Sequence, residues 1–182
     1  MAGTIVQVCQ ASFNALNSGA GTGPRRGKRE RMKRVYVNEQ WCLGCHLCEY
    51  YCAFANSGKA DMVKALKGVV PSPNIRIEDG PGGIHFAVAC RHCKQPLCAK
   101  GCISGALTVQ NGVVTIDEAK CVGCYTCVAS CPYGAVLPGP HGAVQKCQLC
   151  TQNAQPGATP ACVAHCPNNA IVFEERGPRR CM

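Results

Sequence analysis

The sequence predicts an α+β fold that is rich in loops and built around short β-hairpins. Three observations predict it: a high content of cysteine, glycine and proline, a strong hairpin motif, and a fourfold internal repeat. Of 182 residues, 18 are Cys, 20 are Gly and 12 are Pro, a composition that favours loops over long regular elements. Sixteen of the cysteines fall into four groups of four, and such a repeat usually marks one structural unit used several times.

Short strands are predicted where apolar and β-branched residues lie between turn residues. Asn111-Gly112 separates two such segments and is typical of a two-residue hairpin turn. The predicted strands are 34–37, 75–77, 106–110, 113–116 and 170–173. Residues 60–67 predict one or two turns of helix. The remainder of the cysteine-rich part is expected to be loop.

Residues 1–33 differ in composition and predict an N-terminal helical extension. The apolar residues that recur there at helical spacing are Ile5, Val8, Cys9, Phe13 and Leu16. A glycine-rich linker, 19–24, and a basic arm, 25–34, follow. We expect a tethered amphipathic helix whose docking residues are Ile5, Val8, Phe13 and Leu16. The alternative is that the same face packs on the protein's own core. Residues 176–182 are predicted to be a C-terminal tail.

The cysteine groups differ in spacing. The four groups are Cys42, Cys45, Cys48 and Cys52; Cys90, Cys93, Cys98 and Cys102; Cys121, Cys124, Cys127 and Cys131; and Cys147, Cys150, Cys162 and Cys166. The first and third groups keep a tight Cys-x2-Cys-x2-Cys spacing. The second has four residues in its second gap, and the fourth has eleven. Cys9 and Cys181 remain outside the groups.

Cysteines at this spacing predict [4Fe–4S] clusters. Three cysteines of a tight run wrap one face of a cubane, and the fourth ligand comes from another segment. In bacterial two-cluster ferredoxins the fourth cysteine ligates the other cluster and precedes a proline, as at Cys131-Pro132 and Cys166-Pro167. Zinc modules usually use isolated Cys-x2-Cys pairs, and disulfides require an oxidising compartment. Four [4Fe–4S] clusters are therefore the predicted cofactors.

The location and the charge follow from the same reading. Residues 1–20 lack the basic start and unbroken apolar run of an export signal, and no membrane span is predicted, so we expect a cytoplasmic protein. The formal charge of +9 arises largely from residues 25–34, which contain seven basic residues and one acidic residue. Four bound clusters would contribute roughly −8, at about −2 each. The charge therefore does not predict a nucleic-acid partner.

The motifs also resemble a known family. Ala89-Cys90-Arg91-His92-Cys93, followed by Pro96-Leu97-Cys98, is similar to the four-cluster electron-transfer subunits of the dimethyl sulfoxide reductase type. The opening Trp41-Cys42-Leu43-Gly44-Cys45 most resembles the small members. Those members serve carbon monoxide dehydrogenases, hydrogenases and tungsten-dependent aldehyde oxidoreductases. The resemblance covers residues 33–175.

This resemblance implies that the first group pairs with the fourth and the second with the third. The implied ligands are Cys42, Cys45, Cys48 and Cys166 for cluster A; Cys147, Cys150, Cys162 and Cys52 for cluster B; Cys90, Cys93, Cys98 and Cys131 for cluster C; and Cys121, Cys124, Cys127 and Cys102 for cluster D. One bacterial ferredoxin-like unit, 90–140, would lie inside another formed by 34–89 and 141–175. The four clusters would form a line.

The expected role is electron transfer without catalysis, since no phosphate loop, dinucleotide motif or catalytic triad is found. The resemblance implies a large catalytic partner with a tungsten or molybdenum pterin, an aldehyde oxidoreductase in the first instance, and a FAD- or NAD-binding subunit as a second partner. Contacts between copies of the chain are a further hypothesis. The alternatives are a carbon monoxide dehydrogenase or hydrogenase partner, a free polyferredoxin, and, against the spacing, a zinc protein that binds nucleic acid.

Residues beside the cysteines are assigned supporting roles. Four tyrosines are expected to pack over clusters and exclude water: Tyr50, Tyr51, Tyr125 and Tyr133. Three histidines are expected to be hydrogen-bonding or surface groups: His46, His92 and His165. Three basic residues are expected on a solvated face: Arg91, Lys94 and Lys100.

Overall fold

Two-stranded antiparallel ribbons and short helices make up the part of the chain that the computed structural model describes, residues 32–151 and 158–175. The strands are β1 (Arg34–Val37), β2 (Ile75–Asp79), β3 (His85–Ala89), β4 (Leu107–Gln110), β5 (Val113–Ile116), β6 (Val136–Pro138), β7 (Val144–Lys146) and β8 (Ile171–Glu174). The helices are α1 (Leu47–Asn56), α2 (Met62–Leu66), α3 (Leu97–Lys100), α4 (Thr126–Ala129) and α5 (Ala161–Ala164). Single 3-10 turns are Glu39–Trp41, Pro81–Gly83 and Glu118–Lys120.

Each strand of the described part pairs with one partner. Strand β1 pairs with β8, so that Val35 lies opposite Phe173 and the two ends of the described part meet. The other ribbons join strands that are neighbours in sequence: β2 with β3, β4 with β5, and β6 with β7. In the β4–β5 hairpin, Asn111 and Gly112 have φ angles of +49° and +78°, as a type I′ turn requires. The hairpin prediction is confirmed.

The coarse prediction of a loop-rich α+β fold with short hairpins is also confirmed. The predicted strands at 34–37 and 113–116 have the predicted bounds, and the others differ by one or two residues at an end. The expectation that the rest would be loop is wrong, because α1, α3, α4, α5, β3, β6 and β7 lie there. In the four helices, cysteines occupy buried positions where apolar residues would otherwise show a helical pattern.

Cysteines contribute to both buried clusters of the described part. One cluster combines the β1–β8 ribbon with residues from distant parts of the described sequence and includes Cys48, Cys52, Cys147 and Cys162. A second combines Leu107, Val114 and Val136 with Cys98 and Cys127. Thiols therefore face inward, where bound metal would replace part of an apolar core.

Three of the sequence predictions lie outside the described residues. They are the docking face Ile5, Val8, Phe13 and Leu16, the linker at 19–24, and the tail at 176–182. Cys9 and Cys181 are also outside. Within residues 32–151 and 158–175, none of the helices is long and apolar enough to cross a lipid bilayer.

Candidate metal centres

The first and third cysteine groups begin with the same local structure. A strand leads into a 3-10 turn whose preceding residue is an N-cap. The Asn38 side-chain oxygen accepts a hydrogen bond of 3.1 Å from the backbone N–H of Gln40. The Asp117 carboxylate accepts one of 3.2 Å from the backbone N–H of Ala119. Each cap stops the strand and turns the chain directly into the cysteine loop.

Left-handed residues then curl each tight loop. Gly44 and Gly123 have φ angles of +64° and +67° between the first and second cysteines of their groups. His46 and Tyr125, which follow the second cysteines, have φ angles of +58° and +54°. Successive turns of this kind keep three cysteines on one concave side of a short loop.

The second and fourth groups reach a similar curvature by another route. His92 has a φ angle of +45°, and Leu149 and Cys150 have φ angles of +57° and +56°. After the longer gap, a buried proline, Pro96 or Pro160, occupies the N-cap of the helix that holds the third cysteine. Proline fixes the backbone there without leaving an unpaired N–H.

Every group places its third cysteine at the second position of a helix. These residues are Cys48 in α1, Cys98 in α3, Cys127 in α4 and Cys162 in α5. The fourth cysteine follows four residues later in each group. Cys52 lies in α1, one helical turn after Cys48, whereas Cys102, Cys131 and Cys166 lie two residues beyond the ends of α3, α4 and α5. Side chains four residues apart lie on the same side of a helix at different heights. One helical turn can therefore supply ligands to two different clusters.

The structure brings Cys166 of the fourth group to the first group. A surface depression is lined by thiols and by apolar residues of both segments. Its cysteines are Cys42, Cys45, Cys48 and Cys166. Burial, followed by the charges of Glu49, Cys45 and Cys42, raises the pKa of the Cys48 thiol to about 12. These four residues are the set that the resemblance implied for cluster A.

The thiols implied for cluster B also lie near one another. Burial raises the pKa of the Cys162 thiol well above its usual value, and nearby thiols add to the rise. The thiols that do so include Cys147, Cys52 and Cys150. Cys52 is supplied by α1 of the first group, so two distant segments meet here.

Thiols of the second and third groups also lie near one another. Burial raises the pKa of the Cys98 thiol, and Cys90 and Cys131 raise it further. Burial likewise raises the pKa of the Cys93 thiol, with Cys90 and Cys131 adding to the rise. These residues are the set implied for cluster C.

The thiols implied for cluster D also lie near one another. Burial raises the pKa of the Cys127 thiol, which also responds to the thiols of Cys102 and Cys121. Cys102 likewise acts on the neighbouring thiol of Cys124.

Hydrogen bonds from N–H groups reach the most buried sulfurs. Cys52 Sγ accepts from the backbone N–H of Asn74 at 3.3 Å and from Asn56 Nδ2 at 3.5 Å. Cys147 Sγ accepts from the backbone N–H of Leu149 at 3.4 Å. Burial still raises the pKa of Cys52 to about 11 and that of Cys147 to about 12. These thiols must lose protons to bind metal, so metal binding releases protons here.

His92 tests whether these residues fit iron–sulfur clusters. The ring is fully buried, and Nδ1 accepts a hydrogen bond of 3.1 Å from the backbone N–H of Val114, which assigns the proton to Nε2. In the described residues Nε2 has no hydrogen-bond partner. Burial, and then the charges of Lys146 and Arg34, lowers the pKa of His92 to about 3, so the ring is neutral. A buried N–H without an acceptor, 2 residues from Cys90, fits a thiolate or sulfide acceptor.

Lys146 gives a second test and is a residue that the sequence analysis missed. Its side chain is 1% exposed and lies next to Cys147. A buried cation fits an anionic centre, and the thiolates and sulfides of a [4Fe–4S] cluster are anionic. The alternation of Val144, Gln145 and Lys146 in β7 would have predicted an inward Lys146 had the three-residue strand been recognised. The cysteine sets and these two residues fit [4Fe–4S] clusters.

Three of the four tyrosines that were expected to pack over clusters are exposed: Tyr50, Tyr125 and Tyr133 are 48%, 41% and 42% exposed. Tyr51 stacks on His165, with ring centroids 3.5 Å apart. Their packing over clusters stays a prediction. Arg91 is exposed as expected, and its guanidinium lies 4.3 Å above the Tyr133 ring centroid.

The described side chains do not form a mononuclear site. In residues 32–151 and 158–175, no three His, Cys, Asp or Glu side chains lie close enough together to hold one metal ion. A cubane meets each thiolate at a separate iron, so its ligands need not converge on one point.

Comparison with known proteins identifies the family. A family model described as a 4Fe-4S dicluster domain matches residues 83–176, more than half of the chain. The chain belongs to the 4Fe-4S dicluster domain family. The prediction of a [4Fe–4S] protein is thereby confirmed. The matched residues contain the second, third and fourth cysteine groups, whereas the first group lies before them.

Several curated relatives are similar to this chain. An iron-sulfur protein of Rhodospirillum rubrum is 36% identical over 150 residues, which cover 75% of this chain and 79% of that protein. A putative dimethyl sulfoxide reductase iron-sulfur subunit of Halobacterium salinarum is 31% identical over 174 residues, covering 76% of this chain and 64% of the relative. Electron transport protein HydN of Escherichia coli (strain K12) is 30% identical over 158 residues, covering 78% and 87%.

Proposed function

We propose that this chain is a non-catalytic electron-transfer subunit that holds four [4Fe–4S] clusters. The observation that carries the proposal is that thiols of the first and fourth groups lie near one another, as do thiols of the second and third groups. The proposed ligand sets are those named above for clusters A, B, C and D. The family match and the relatives named for iron-sulfur subunits and electron transport support the same function.

The exposure of the thiols supports separate roles for the sets. Cys45 in set A and Cys124 in set D are exposed. All cysteines of sets B and C lie in the described residues, and each of them is buried or half-buried. We therefore assign sets A and D to the ends where partners exchange electrons, and sets B and C to the interior.

Neighbouring thiols support a linear order of the sets. Cys48 of set A acts on the thiol of Cys162 in set B. Cys90 of set C acts on the thiol of Cys147 in set B. Sets C and D share the buried cluster described above, which contains a cysteine of each. The proposed order is A–B–C–D, with the 90–140 unit nested inside the outer unit.

The protein's own residues would set the spacing and the potentials. When bound, [4Fe–4S] clusters supply centres that take up and release single electrons. The helices fix the positions of the third cysteines, and seven of the sixteen thiols are buried away from water. Backbone N–H groups, such as that of Asn74 at Cys52, stabilise thiolate charge.

The proposed partner is a large catalytic oxidoreductase subunit, with a FAD- or NAD-binding subunit at the other end. A tungsten or molybdenum pterin aldehyde oxidoreductase is the specific partner we propose first. None of the three relatives described above is named for an aldehyde oxidoreductase, so this specific partner rests on the motif resemblance alone. Docking through Ile5, Val8, Phe13 and Leu16, and contacts between copies of the chain, belong to the same proposal.

The cluster assignment is tested on the full chain purified without oxygen. We expect about sixteen irons and sixteen sulfides per chain, and four titrating signals of [4Fe–4S] type in electron paramagnetic resonance spectra. An iron content near eight per chain would reduce the proposal to two clusters. Zinc in place of iron would reject it.

The partner is tested by an anaerobic, low-salt pull-down from the native host with metal and flavin analysis. A large partner that contains tungsten or molybdenum supports the specific proposal. Nickel in the partner would replace it with a carbon monoxide dehydrogenase or hydrogenase. Full iron content without a partner would indicate a free polyferredoxin.

A further inference from the structure

Lys146 is a fully buried cation at the junction of sets B and C. Its side chain is 1% exposed, and Nζ donates hydrogen bonds to the backbone oxygens of Val114 and Cys147, the latter at 2.8 Å. The ion pairs found among residues 32–151 and 158–175 do not include Lys146. Two carbonyl groups therefore solvate this ammonium, and no carboxylate of the described residues balances its charge.

A buried ammonium without a counter-charge is strongly unfavourable in a protein interior. Contacts place Lys146 between residues of two different cysteine sets. Nζ donates to the backbone oxygen of Cys147, a member of set B. His92, which bonds the same residue Val114 as Lys146 does, has its Nδ1 3.9 Å from Cys90 Sγ of set C. Lys146 therefore lies beside the two interior sets, B and C.

The other titratable groups around Lys146 do not neutralise it. His92 cannot do so in either protonation state, because an imidazole ring is neutral or positively charged. Both side chains bind the backbone of one residue of β5: the Val114 N–H donates to His92 Nδ1 at 3.1 Å, and the Val114 carbonyl oxygen accepts from Lys146 Nζ. This double attachment to a strand fixes the position of the ammonium.

We propose that Lys146 is an electrostatic tuning residue that raises the reduction potentials of clusters B and C together, relative to clusters A and D. The inference rests on the proposed four-cluster function. Reduction adds one electron to a cluster, with no bond made or broken at Lys146 and no proton taken from it. A fixed positive charge in a low-dielectric interior favours the state with one more negative charge. Removal of this charge therefore lowers the tendency of the interior pair to accept an electron.

The chain offers a matched control. Lys120 directly precedes Cys121, as Lys146 directly precedes Cys147. Its side chain is 65% exposed, however, and Nζ pairs with the Asp117 carboxylate at 3.0 Å. Solvent and this carboxylate screen its charge from set D. Removal of the two lysines therefore separates the effect of a buried charge from that of a basic residue at this sequence position.

The experiment compares Lys146→Met, Lys146→Gln, Lys146→Arg and Lys120→Met as full chains loaded with clusters. Redox titration followed by electron paramagnetic resonance measures the potential of each signal. In Lys146→Met and Lys146→Gln we expect two signals to move to lower potential. At a fixed solution potential, the ratio of oxidised to reduced cluster should rise at least tenfold for these two signals. That change corresponds to a shift of about 59 mV for one electron. In Lys146→Arg and Lys120→Met, the ratio of oxidised to reduced cluster should stay within threefold of the wild-type ratio for all four signals.

The outcomes decide the proposal independently of the function on which it rests. Unchanged potentials in loaded Lys146→Met and Lys146→Gln overturn it, and so does an equal shift of all four signals. If these two variants fail to load iron while Lys146→Arg loads fully, the charge requirement is supported. Failure of Lys146→Arg as well would assign Lys146 a role of shape and overturn the proposal. A wild-type chain without four clusters would instead reject the proposed function.

Discussion

The first and third cysteine groups have tight spacing, whereas the second and fourth are interrupted by longer gaps. The two kinds of group differ in where they lie in the protein. The tight loops lie at the surface, where Cys45 and Cys124 are exposed. The interrupted groups begin with Cys90 and Cys147, each only 8% exposed. Regular spacing therefore marks the ends of the proposed cluster line, and irregular spacing marks its interior.

The difference has a physical origin in how each loop is held. A tight loop is fixed locally, by an N-cap such as Asn38 or Asp117 and by left-handed residues within the run. An interrupted loop is fixed by burial, through a proline-capped helix and contacts from other segments. Changes at the interrupted groups should therefore disturb the whole protein, whereas changes at the tight groups should remain local.

The largest expected effect is the loss of an interior thiol. Cys147→Ser removes a buried sulfur that lies next to Cys52 and Cys90, members of two different sets. We expect loss of iron from more than one set and little folded protein. Cys124→Ser removes an exposed thiol, and the chain should keep about three quarters of its iron. Iron and sulfide analysis of both variants, prepared in parallel, measures the difference.

Equal iron loss in the two serine variants would contradict the contrast between interior and surface groups. A Cys45→Ser variant serves as a second surface control, since Cys45 occupies the corresponding position in the first group. It should behave as Cys124→Ser does.

The next largest effect concerns a glycine in a tight loop. A Cβ on Gly123 would lie 2.7 Å from the backbone oxygen of Gly142, and its φ angle is +67°. Gly105, after the second group, has a φ angle of +66° but open space around the same position. Gly105→Ala should cost about 1–2 kcal/mol from left-handed strain alone. Gly123→Ala should cost roughly twice that or more, because the backbone of 142 must also move.

Thermal unfolding of the loaded variants without oxygen gives this comparison. Similar losses for the two alanine variants would show that backbone strain alone determines the effect and that the contact at Gly142 relaxes freely.

Much of this arrangement could be predicted from the sequence because it is encoded locally. Asn111-Gly112 specifies its own turn, and the x2 spacing of the tight groups specifies their loops. The pairing of groups was different: it came from a family resemblance, since nothing local to Cys52 or Cys166 indicates which distant loop it will join. The meeting of β1 with β8 is likewise a long-range contact that short-range patterns do not contain.

The features that sequence reasoning missed depend on which face of a short element is buried. Lys146 lies inward because β7 alternates, yet three residues are too few to establish a period. His92 sits beside a cysteine like His46 and His165, but only His92 is buried among these three. Packing between distant segments decides which side chains are buried. Histidines that each lie next to a cysteine in sequence therefore differ in burial.

A third prediction compares histidines of an interrupted and a tight group. His92 and His46 both have left-handed backbones, with φ angles of +45° and +58°, so leucine meets similar strain at each. His92→Leu also removes the acceptor for the buried N–H of Val114. It should lower the free energy of unfolding by about 1–3 kcal/mol more than His46→Leu does. His46→Leu loses only an exposed pairing with Glu49.

Chemical or thermal unfolding of the two leucine variants measures this difference. Equal stabilities would mean that the Val114 N–H finds another partner when the ring is removed. An additional loss of iron only in His92→Leu would agree with a contact between His92 and a cluster.

The smallest effect distinguishes the two N-caps of the tight groups. The hydrogen bond from Lys120, together with its charge and backbone N–H groups, holds the pKa of the Asp117 carboxyl below its usual range. A depressed carboxyl pKa gives stability that is present above the unfolded value, about 3.9, and is lost as the pH falls through the folded value. The wild-type chain should therefore exceed Asp117→Asn in melting temperature by a small, constant margin from about pH 7 to about pH 5.

Asn38, the equivalent cap in the first group, has no charge to lose. Asn38→Ala should therefore cost about 1 kcal/mol at every pH in this range. Melting temperatures of wild type, Asp117→Asn and Asn38→Ala, measured together at each pH, cancel the general effect of acid on bound clusters. A wild-type margin over Asp117→Asn that already shrinks between about pH 7 and about pH 5 would place the carboxyl pKa higher than the Lys120 contact allows.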